Sequence, residues 1–168
     1  MATHEEEMRM EAVKIGVLGC GRVSPMYLPN LVRSPLLDVV AVSDVVHELA
    51  AAAAEAYGVA KVLSPEELLA DPGVEVILNL TPIRHHVEMT SAALDAGKHV
   101  YSEKPLATTV EEARRLVADA ERRGLLLGCA PDTLLGSGFQ ASRDRFAEGA
   151  IGRPLGAQVF MFRRLPPT

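Results

Sequence analysis

The stretch VKIGVLGCGRVS (Val13–Ser24) decides how the chain folds, because it joins a buried-strand pattern to a glycine-rich turn. A run of mostly apolar residues leads into Gly19, and Gly21 follows after one further residue. Two interpretations are open at this point: a turn that binds a dinucleotide, or an ordinary bend after a buried strand. Ser24 replaces the third glycine of the dinucleotide fingerprint, so the rest of the chain has to decide between them.

The composition is that of a globular protein without a basic surface. The chain has 168 residues, 48% hydrophobic and 23% charged, enough for one domain with a substantial core. Its formal net charge of −5 argues against nucleic acid or an anionic membrane surface as a partner. Cys20 and Cys129 are too far apart for a short metal-binding or redox motif, which suits a reducing compartment.

The sequence also lacks the usual signals for membranes and secretion. It contains no apolar run of about 20 residues, the length that a transmembrane helix needs. Residues 1–12 form an acidic leader without the apolar stretch of a signal peptide, and we expect this leader to be flexible. These features together predict a cytoplasmic protein.

Apolar, strand-like runs alternate with helical patterns along most of the chain. The strands are predicted at Val13–Leu18, Leu37–Ser43, Val74–Leu80, His99–Ser102 and Leu125–Cys129. The helices are predicted at Pro25–Val32, Val46–Tyr57, His85–Ala96 and Val110–Arg123. Buried strands separated by helices indicate an α/β fold, a doubly wound parallel sheet with helices on both faces.

Local signals mark several helix ends. Ser64–Leu69 and Thr108–Ala113 each begin with a capping hydroxyl and carry acidic residues in the first turn, as helix starts do. Gly97 is predicted to end the helix before His99–Ser102. Pro29 is expected to kink or shorten the first helix.

The pattern changes beyond the last predicted strand, and residues 131–168 are interpreted as the beginning of a second, α+β domain. One helix is predicted at Gln140–Glu148, and Pro154–Arg163 alternates like a half-buried strand. We expect the remainder of this domain to be absent from the chain. An unpaired strand needs a cover, so the prediction is a homo-oligomer or a completing partner that binds there.

An acidic residue after the second predicted strand supports the dinucleotide-binding interpretation of the glycine turn. Gly19 would permit the tight turn and Gly21 the close approach of a pyrophosphate, with Arg22 and Val23 next to it at the helix N-terminus. Asp44 comes about 25 residues after Gly19, near the spacing of about 20 residues at which an acid binds the adenosine ribose. Turn and acid together favour a Rossmann dinucleotide-binding domain over residues 13–130.

Two alternatives bear on this interpretation. Asp44 could merely cap the next helix. A methyltransferase with a similar turn would usually carry an acid in the first strand, where this chain has Gly16, Val17 and Leu18. Because Val45 and Val46 follow Asp44 with no Arg or Lys nearby to neutralise a 2′-phosphate, the predicted cofactor is NAD, with NADP less favoured.

Two later motifs point to a family. TPIRHH begins with Thr81 and Pro82 and contains His86, and AGKHVYSEKPLA contains Glu103–Lys104–Pro105. With the glycine turn and Asp44, these motifs resemble those of the Gfo/Idh/MocA oxidoreductases, and the resemblance extends over about residues 13–163. It implies an NAD(P)-dependent dehydrogenase that acts on a sugar, cyclitol or related alcohol.

The resemblance also implies roles for individual residues. Lys104 would lie beside the nicotinamide and the substrate, polarising the reacting oxygen or moving its proton, and burial of its ammonium would suit that role. Glu103 would set the position and charge of Lys104. Thr81 and Pro82 would line the cofactor cleft, and His86 would be either a cleft residue or a packing residue.

The chain departs from the family pattern after its last predicted strand. CAPDTLLGSG stands where many members carry an Asn-containing segment, so either Asp132 or Thr133 faces the nicotinamide or the segment is only a turn and helix cap. Because the substrate domain is expected to be incomplete, no general base can be named. A second hypothesis therefore stays open: a catalytically inactive NAD-binding module or a subunit completed by another chain.

Overall fold

The computed structural model describes residues 11–131, 133–160 and 162, and the chain divides into two compact units, Met1–Pro131 and Asp132–Thr168. The strands of the first unit are β1 Val13–Leu18, β2 Leu37–Ser43, β3 Lys61–Leu63, β4 Val76–Asn79, β5 His99–Ser102 and β6 Leu127–Cys129. Its helices are α1 Ser24–Leu31, α2 His47–Tyr57, α3 Pro65–Ala70, α4 His86–Asp95 and α5 Val110–Arg123, with a 3₁₀ turn at Ile83–His85.

The six strands form one parallel sheet in the order β3-β2-β1-β4-β5-β6. The chain winds outward from β1 to β3, crosses back through α3, and winds outward again from β4 to β6. The order therefore reverses between β1 and β4, which creates a crevice at the carboxyl ends of these two strands. This topology confirms the predicted doubly wound Rossmann fold.

Two apolar layers hold the helices against the sheet. On one face, Leu28 of α1 and three alanines of α2 pack against β1 and β2 side chains such as Val17 and Val42; these are Ala50, Ala53 and Ala54. On the other face, Leu68 of α3, Leu94 of α4 and Leu116 of α5 belong to a second buried cluster. Both faces of the sheet are covered, which explains the almost continuous apolar runs in the strand sequences.

Helix ends follow the predicted local signals. Ser64 and Thr109 both form complete capping boxes, with Glu67 and Glu112 as the reciprocal partners. The first helix continues through Pro29 and spans Ser24–Leu31, so it has the predicted length of eight residues and lies one residue earlier than predicted.

Some predicted boundaries are wrong. The short strand β3 was not predicted, because three residues give too little alternation to be recognised. Strands β4 and β6 each begin two residues later than predicted, and the last helix begins earlier.

The second unit contains a 3₁₀ turn at Thr133–Leu135 and the helix α6 Ser137–Ala147. The predicted strand at 154–163 is wrong for residues 154–160, which have no regular structure, while Met161 and Arg163 lie outside the described residues. Among residues 133–160 there is no strand that could supply backbone hydrogen bonds to this segment, and an isolated strand is not stable in water.

Within the described residues, no helix combines the length and the apolar character required to cross a bilayer.

Candidate cofactor and active site

The predicted site residues of the first unit follow the carboxyl ends of four neighbouring strands. The glycine turn follows β1, Asp44 follows β2, Thr81 and Pro82 follow β4, and Glu103 follows β5. In open parallel sheets, ligands bind at this edge, where the order of strands reverses. The fold therefore brings together residues that are far apart in sequence.

Gly19 is required by the backbone of the turn. Its φ is +102°, a backbone conformation that residues with a Cβ rarely adopt. A Cβ built on Gly19 would lie 2.7 Å from the carbonyl carbon of Leu80, at the end of β4. The N–H of Gly19 donates to the Ser43 carbonyl at 2.8 Å, so the turn is tied to β2 as well.

Gly21 and the two residues after it leave an open cradle. A Cβ on Gly21 would have no atom within 4 Å, unlike one on Gly19. In the part of the chain that the structure describes, no hydrogen bond uses the N–H groups of Gly21, Arg22 or Val23. Free amides before a helix N-terminus, with space in front of them, fit a phosphate group.

Asp44 holds the same turn through its carboxylate. One oxygen accepts the N–H of Cys20 at 2.8 Å, and the other accepts the N–H of Val46 at 2.9 Å. The second contact is a local turn before α2, as the capping alternative suggested, but the first connects β2 to the glycine turn. A carboxylate oxygen accepts more than one hydrogen bond, so Asp44 keeps capacity for a ribose hydroxyl.

The buried Cys20 thiol shares this environment. Burial, and then the negative charge of Asp44, raise the pKa of Cys20 to about 11. The thiol therefore stays protonated at neutral pH, and it donates a weak hydrogen bond to the Ser43 carbonyl at 3.5 Å.

Asn79, which the sequence reasoning missed, organises the end of β4. Its side chain is completely buried; the amide nitrogen donates to the His86 carbonyl at 3.2 Å and to the Thr90 hydroxyl at 3.1 Å. Its oxygen accepts the Thr81 hydroxyl at 2.6 Å and the Thr81 N–H at 3.2 Å. A polar residue in an otherwise apolar buried strand is the signal that could have identified it.

His86 is buried between the loops that follow β4 and β5. Only 1% of the residue is exposed, and its ring nitrogens lie 2.6 Å from the Pro105 carbonyl and 2.8 Å from the Thr81 carbonyl. Both ring nitrogens face backbone oxygens of the fold, which places His86 among the packing residues. It holds the loop after β4 beside the loop after β5.

Glu103 and Lys104 lie in the loop after β5. The Glu103 N–H donates to the Asn79 carbonyl at 2.9 Å, which fixes the start of the loop. Its carboxylate accepts the backbone N–H of Lys104 at 2.8 Å and the Tyr27 hydroxyl at 2.7 Å. Glu103 thus positions the backbone of Lys104. The side chain of Lys104 is exposed to solvent and lacks the burial that would suit the role implied for it.

The predicted nicotinamide contacts belong to the second unit. Thr133 begins the 3₁₀ turn and is exposed. Asp132 lies outside the described residues.

Comparison with known proteins gives the family. A model described as an oxidoreductase family with an NAD-binding Rossmann fold, GFO_IDH_MocA, matches residues 13–130. The chain belongs to the Gfo/Idh/MocA family. The matched region contains the glycine turn, Asp44, the loop after β4 and the Glu-Lys-Pro loop.

Relatives of this family member act on carbohydrates, as their names state. A 1,5-anhydro-D-fructose reductase of Ensifer adhaerens is 39% identical over 153 residues, which are 90% of this chain and 46% of the relative. A dTDP-3,4-didehydro-2,6-dideoxy-alpha-D-glucose 3-reductase of Streptomyces violaceoruber is 38% identical over 152 residues, 90% of this chain and 44% of the relative.

A solved structure gives the same picture. A mutant of KijD10, a 3-ketoreductase from Actinomadura kijaniata in complex with TDP-benzene and NADP, has a TM-score of 0.80 at 34% identity. The match covers 85% of this chain and 44% of that one. The chain thus spans less than half the length of each of these three proteins.

Proposed function

We propose that this chain is the cofactor-binding portion of an NAD(P)-dependent oxidoreductase that transfers a hydride between the nicotinamide and a hydroxyl-bearing carbon of a sugar or cyclitol. The observation that carries the proposal is the contrast between Gly19, which is packed against the end of β4, and Gly21, which faces open space beside free backbone amides. This arrangement supplies what a pyrophosphate requires: donors, room and the positive end of a helix.

The residues that would hold the cofactor divide between the two halves of the crevice. The N–H groups of Gly21, Arg22 and Val23 would donate to the phosphates, and Asp44 would accept from the adenosine ribose. Thr81 and Pro82, at the end of β4, would line the second half. The bound nicotinamide would supply or accept the hydride.

Lys104 would act on the oxygen of the substrate. Its ammonium has three N–H donors, and Glu103 fixes the backbone from which the side chain extends. A hydrogen bond from Nζ would stabilise negative charge that develops on the reacting oxygen, and Nζ would hold or release the hydroxyl proton. The exposure of Lys104 leaves this ammonium accessible to a substrate.

Asp44 supports NAD as the preferred cofactor. A carboxylate at the ribose accepts hydrogen bonds from hydroxyls and repels a 2′-phosphate, and Val45 and Val46 offer no compensating charge. The related 3-ketoreductase was solved with NADP, and a preference of this chain for NADH would distinguish the two proteins.

Calorimetric titration of the chain with NADH and, separately, NADPH tests the binding proposal. We expect saturable binding of both with NADH preferred, and a loss of affinity in Gly21→Ala, whose methyl group would occupy the cradle. Gly138→Ala is a matched control, because a Cβ there also has no neighbour within 4 Å but lies in α6. A folded wild-type chain that binds neither nucleotide would refute the proposal.

The catalytic part is tested on Lys104. In a preparation that oxidises polyols or reduces sugar ketones, Lys104→Ala should lower turnover by about 100-fold or more, with NADH affinity within a few-fold. Turnover that survives this change would make Lys104 structural. A chain that binds NADH but converts no member of a panel of polyols and sugars would instead be the non-catalytic NAD-binding module.

A further inference from the structure

One hydrogen bond crosses the site from one half of the fold to the other. The hydroxyl of Tyr27 in α1 donates to a carboxylate oxygen of Glu103 at 2.7 Å, although the two residues are 76 positions apart. Helix α1 follows β1 and begins at the glycine turn, whereas Glu103 follows β5. The bond therefore spans the position where the order of strands reverses.

Both partners of this bond are held in place by other contacts. Tyr27 is half-buried and packs against the apolar cluster that contains Leu28. Glu103 is half-buried, and its backbone N–H donates to Asn79 at 2.9 Å. A hydroxyl that donates to a carboxylate makes a stronger bond than a neutral pair. The contact therefore restrains the rotamer of Glu103.

The other oxygen of Glu103 accepts the backbone N–H of Lys104 at 2.8 Å. A continuous series of contacts thus runs from α1 through the Tyr27 hydroxyl and the Glu103 carboxylate to the backbone of Lys104. Each half of a doubly wound sheet takes one mononucleotide of a bound dinucleotide. The series joins the helix of the adenosine half to the loop of the nicotinamide half.

We propose that Tyr27 is a positioning residue for the nicotinamide half of the cofactor site. Its hydroxyl holds Glu103, and through it the Glu103–Pro105 loop, in the arrangement that receives the nicotinamide end of the cofactor. This inference rests on the proposed NAD(P) binding, and it adds a residue outside the phosphate cradle of Gly21–Val23 and outside the Glu103–Pro105 loop. Tyr27 thus acts on the loop after β5 and not on the N-terminus of α1, the helix that contains it.

The test compares two ligands that differ only at the nicotinamide end. NADH and ADP-ribose share the adenosine, the diphosphate and the second ribose, and only NADH carries the nicotinamide. In Tyr27→Phe we expect NADH affinity, measured by calorimetry, to fall about tenfold, the scale of one hydrogen bond to a charged group. Affinity for ADP-ribose should stay within about twofold, because the phosphate cradle is unchanged.

Tyr57→Phe is the matched control. Tyr57 ends α2, is half-buried and packs against the same apolar cluster as Tyr27. Removal of its hydroxyl should leave the affinities for both ligands unchanged. Equal losses of NADH and ADP-ribose affinity in Tyr27→Phe would overturn the inference, since they would indicate a disturbed α1, and so would an unchanged NADH affinity.

A second variant separates folding from positioning. Glu103→Ala removes the acceptor without altering α1, and it should produce the same selective loss of NADH affinity. In that background Tyr27→Phe should add nothing; additive losses would overturn the inference. Failure of the wild-type chain to bind either ligand would refute the proposed function itself, a result distinct from any outcome of the variants.

Discussion

The two halves of the crevice each contain a carboxylate directly after a buried strand, but they hold it in different ways. Asp44 accepts only backbone N–H groups in its two contacts, from Cys20 and Val46. Glu103 accepts one backbone N–H and one side-chain hydroxyl, from Lys104 and Tyr27. The half of the crevice around Asp44 is thus built mainly from main-chain geometry, and the half around Glu103 from side chains.

This difference extends to the surroundings of each carboxylate. Next to Asp44, the turn depends on the conformation of Gly19 and on its close approach to Leu80. Next to Glu103, the Asn79 side chain connects the end of β4 to α4, and His86 joins the loops after β4 and β5. We therefore expect the first half to be sensitive to the backbone freedom of glycine and the second to the loss of individual polar side chains.

The largest effect is expected for Gly19→Ala. The positive φ and the contact with the Leu80 carbonyl together should lower the free energy of unfolding by about 3 kcal/mol. Gly21→Ala is the control: its Cβ would meet no neighbour, so stability should change by less than about 0.5 kcal/mol. Urea unfolding followed by circular dichroism measures both. Equal destabilisation by the two variants would contradict the contrast between the glycines.

Asn79→Ala should destabilise the half of the crevice around Glu103. It leaves Thr81, Thr90 and the His86 carbonyl without their partner in a buried site, so the free energy of unfolding should fall by about 2 kcal/mol. Asn30→Ala is the matched control, since the Asn30 side chain is exposed and makes one long contact, 3.5 Å from the Met26 carbonyl. If Asn79→Ala were as stable as Asn30→Ala, the side-chain network would not support this half.

Asp44→Ser sharpens the role of the first carboxylate. A serine keeps one acceptor for the turn but removes the charge that repels a 2′-phosphate, so NADH affinity should fall about tenfold and NADPH affinity less. The measurement is the ratio of the two dissociation constants by calorimetry. Losses of equal size for both nucleotides would show that Asp44 supports the loop and does not bind the ribose.

The smallest effect is expected next to Asp44. The Ser43 hydroxyl is buried, and it has no hydrogen-bond partner among the described residues. Ser43→Ala removes an unpaired polar atom and should raise the free energy of unfolding by up to about 1 kcal/mol, without changing NADH affinity. A clear loss of stability in urea unfolding would mean that the hydroxyl makes a contact that stabilises the fold.

Parts of the molecule with local causes were predicted well from the sequence. The helix Val110–Arg123 has the predicted bounds, because Thr109 caps its start and Gly124, in the left-handed conformation, directly follows its last residue. Strands β1, β2 and β5 also have the predicted bounds, since each apolar run ends directly before a glycine or an acidic residue, Gly19, Asp44 or Glu103. Where the local signal is short, as in β3, or needs a partner, as in residues 154–160, the prediction failed.

The site shows the same division. Gly19, Gly21 and Asp44 were predicted as site residues from the sequence because the turn and the acid have a characteristic spacing. Glu103 and Lys104 were predicted as site residues because their motif resembles that of the family. Asn79 and Tyr27 were missed: neither residue type indicates a role until the fold brings it to its partner.

The sequence by itself determined the alternation of strands and helices, the glycine turn and the acid that accompanies it, because periodicity, capping and φ preferences act over a few residues. Only the tertiary structure decided that the Asp44 carboxylate accepts a hydrogen bond from the glycine turn, that His86 lies buried between two loops, and that Tyr27 donates to Glu103. Such contacts depend on which strands become neighbours. The physical reason is that hydrogen bonds need partners within about 3 Å, and the order of the sheet alone brings residues so far apart in the chain to that distance.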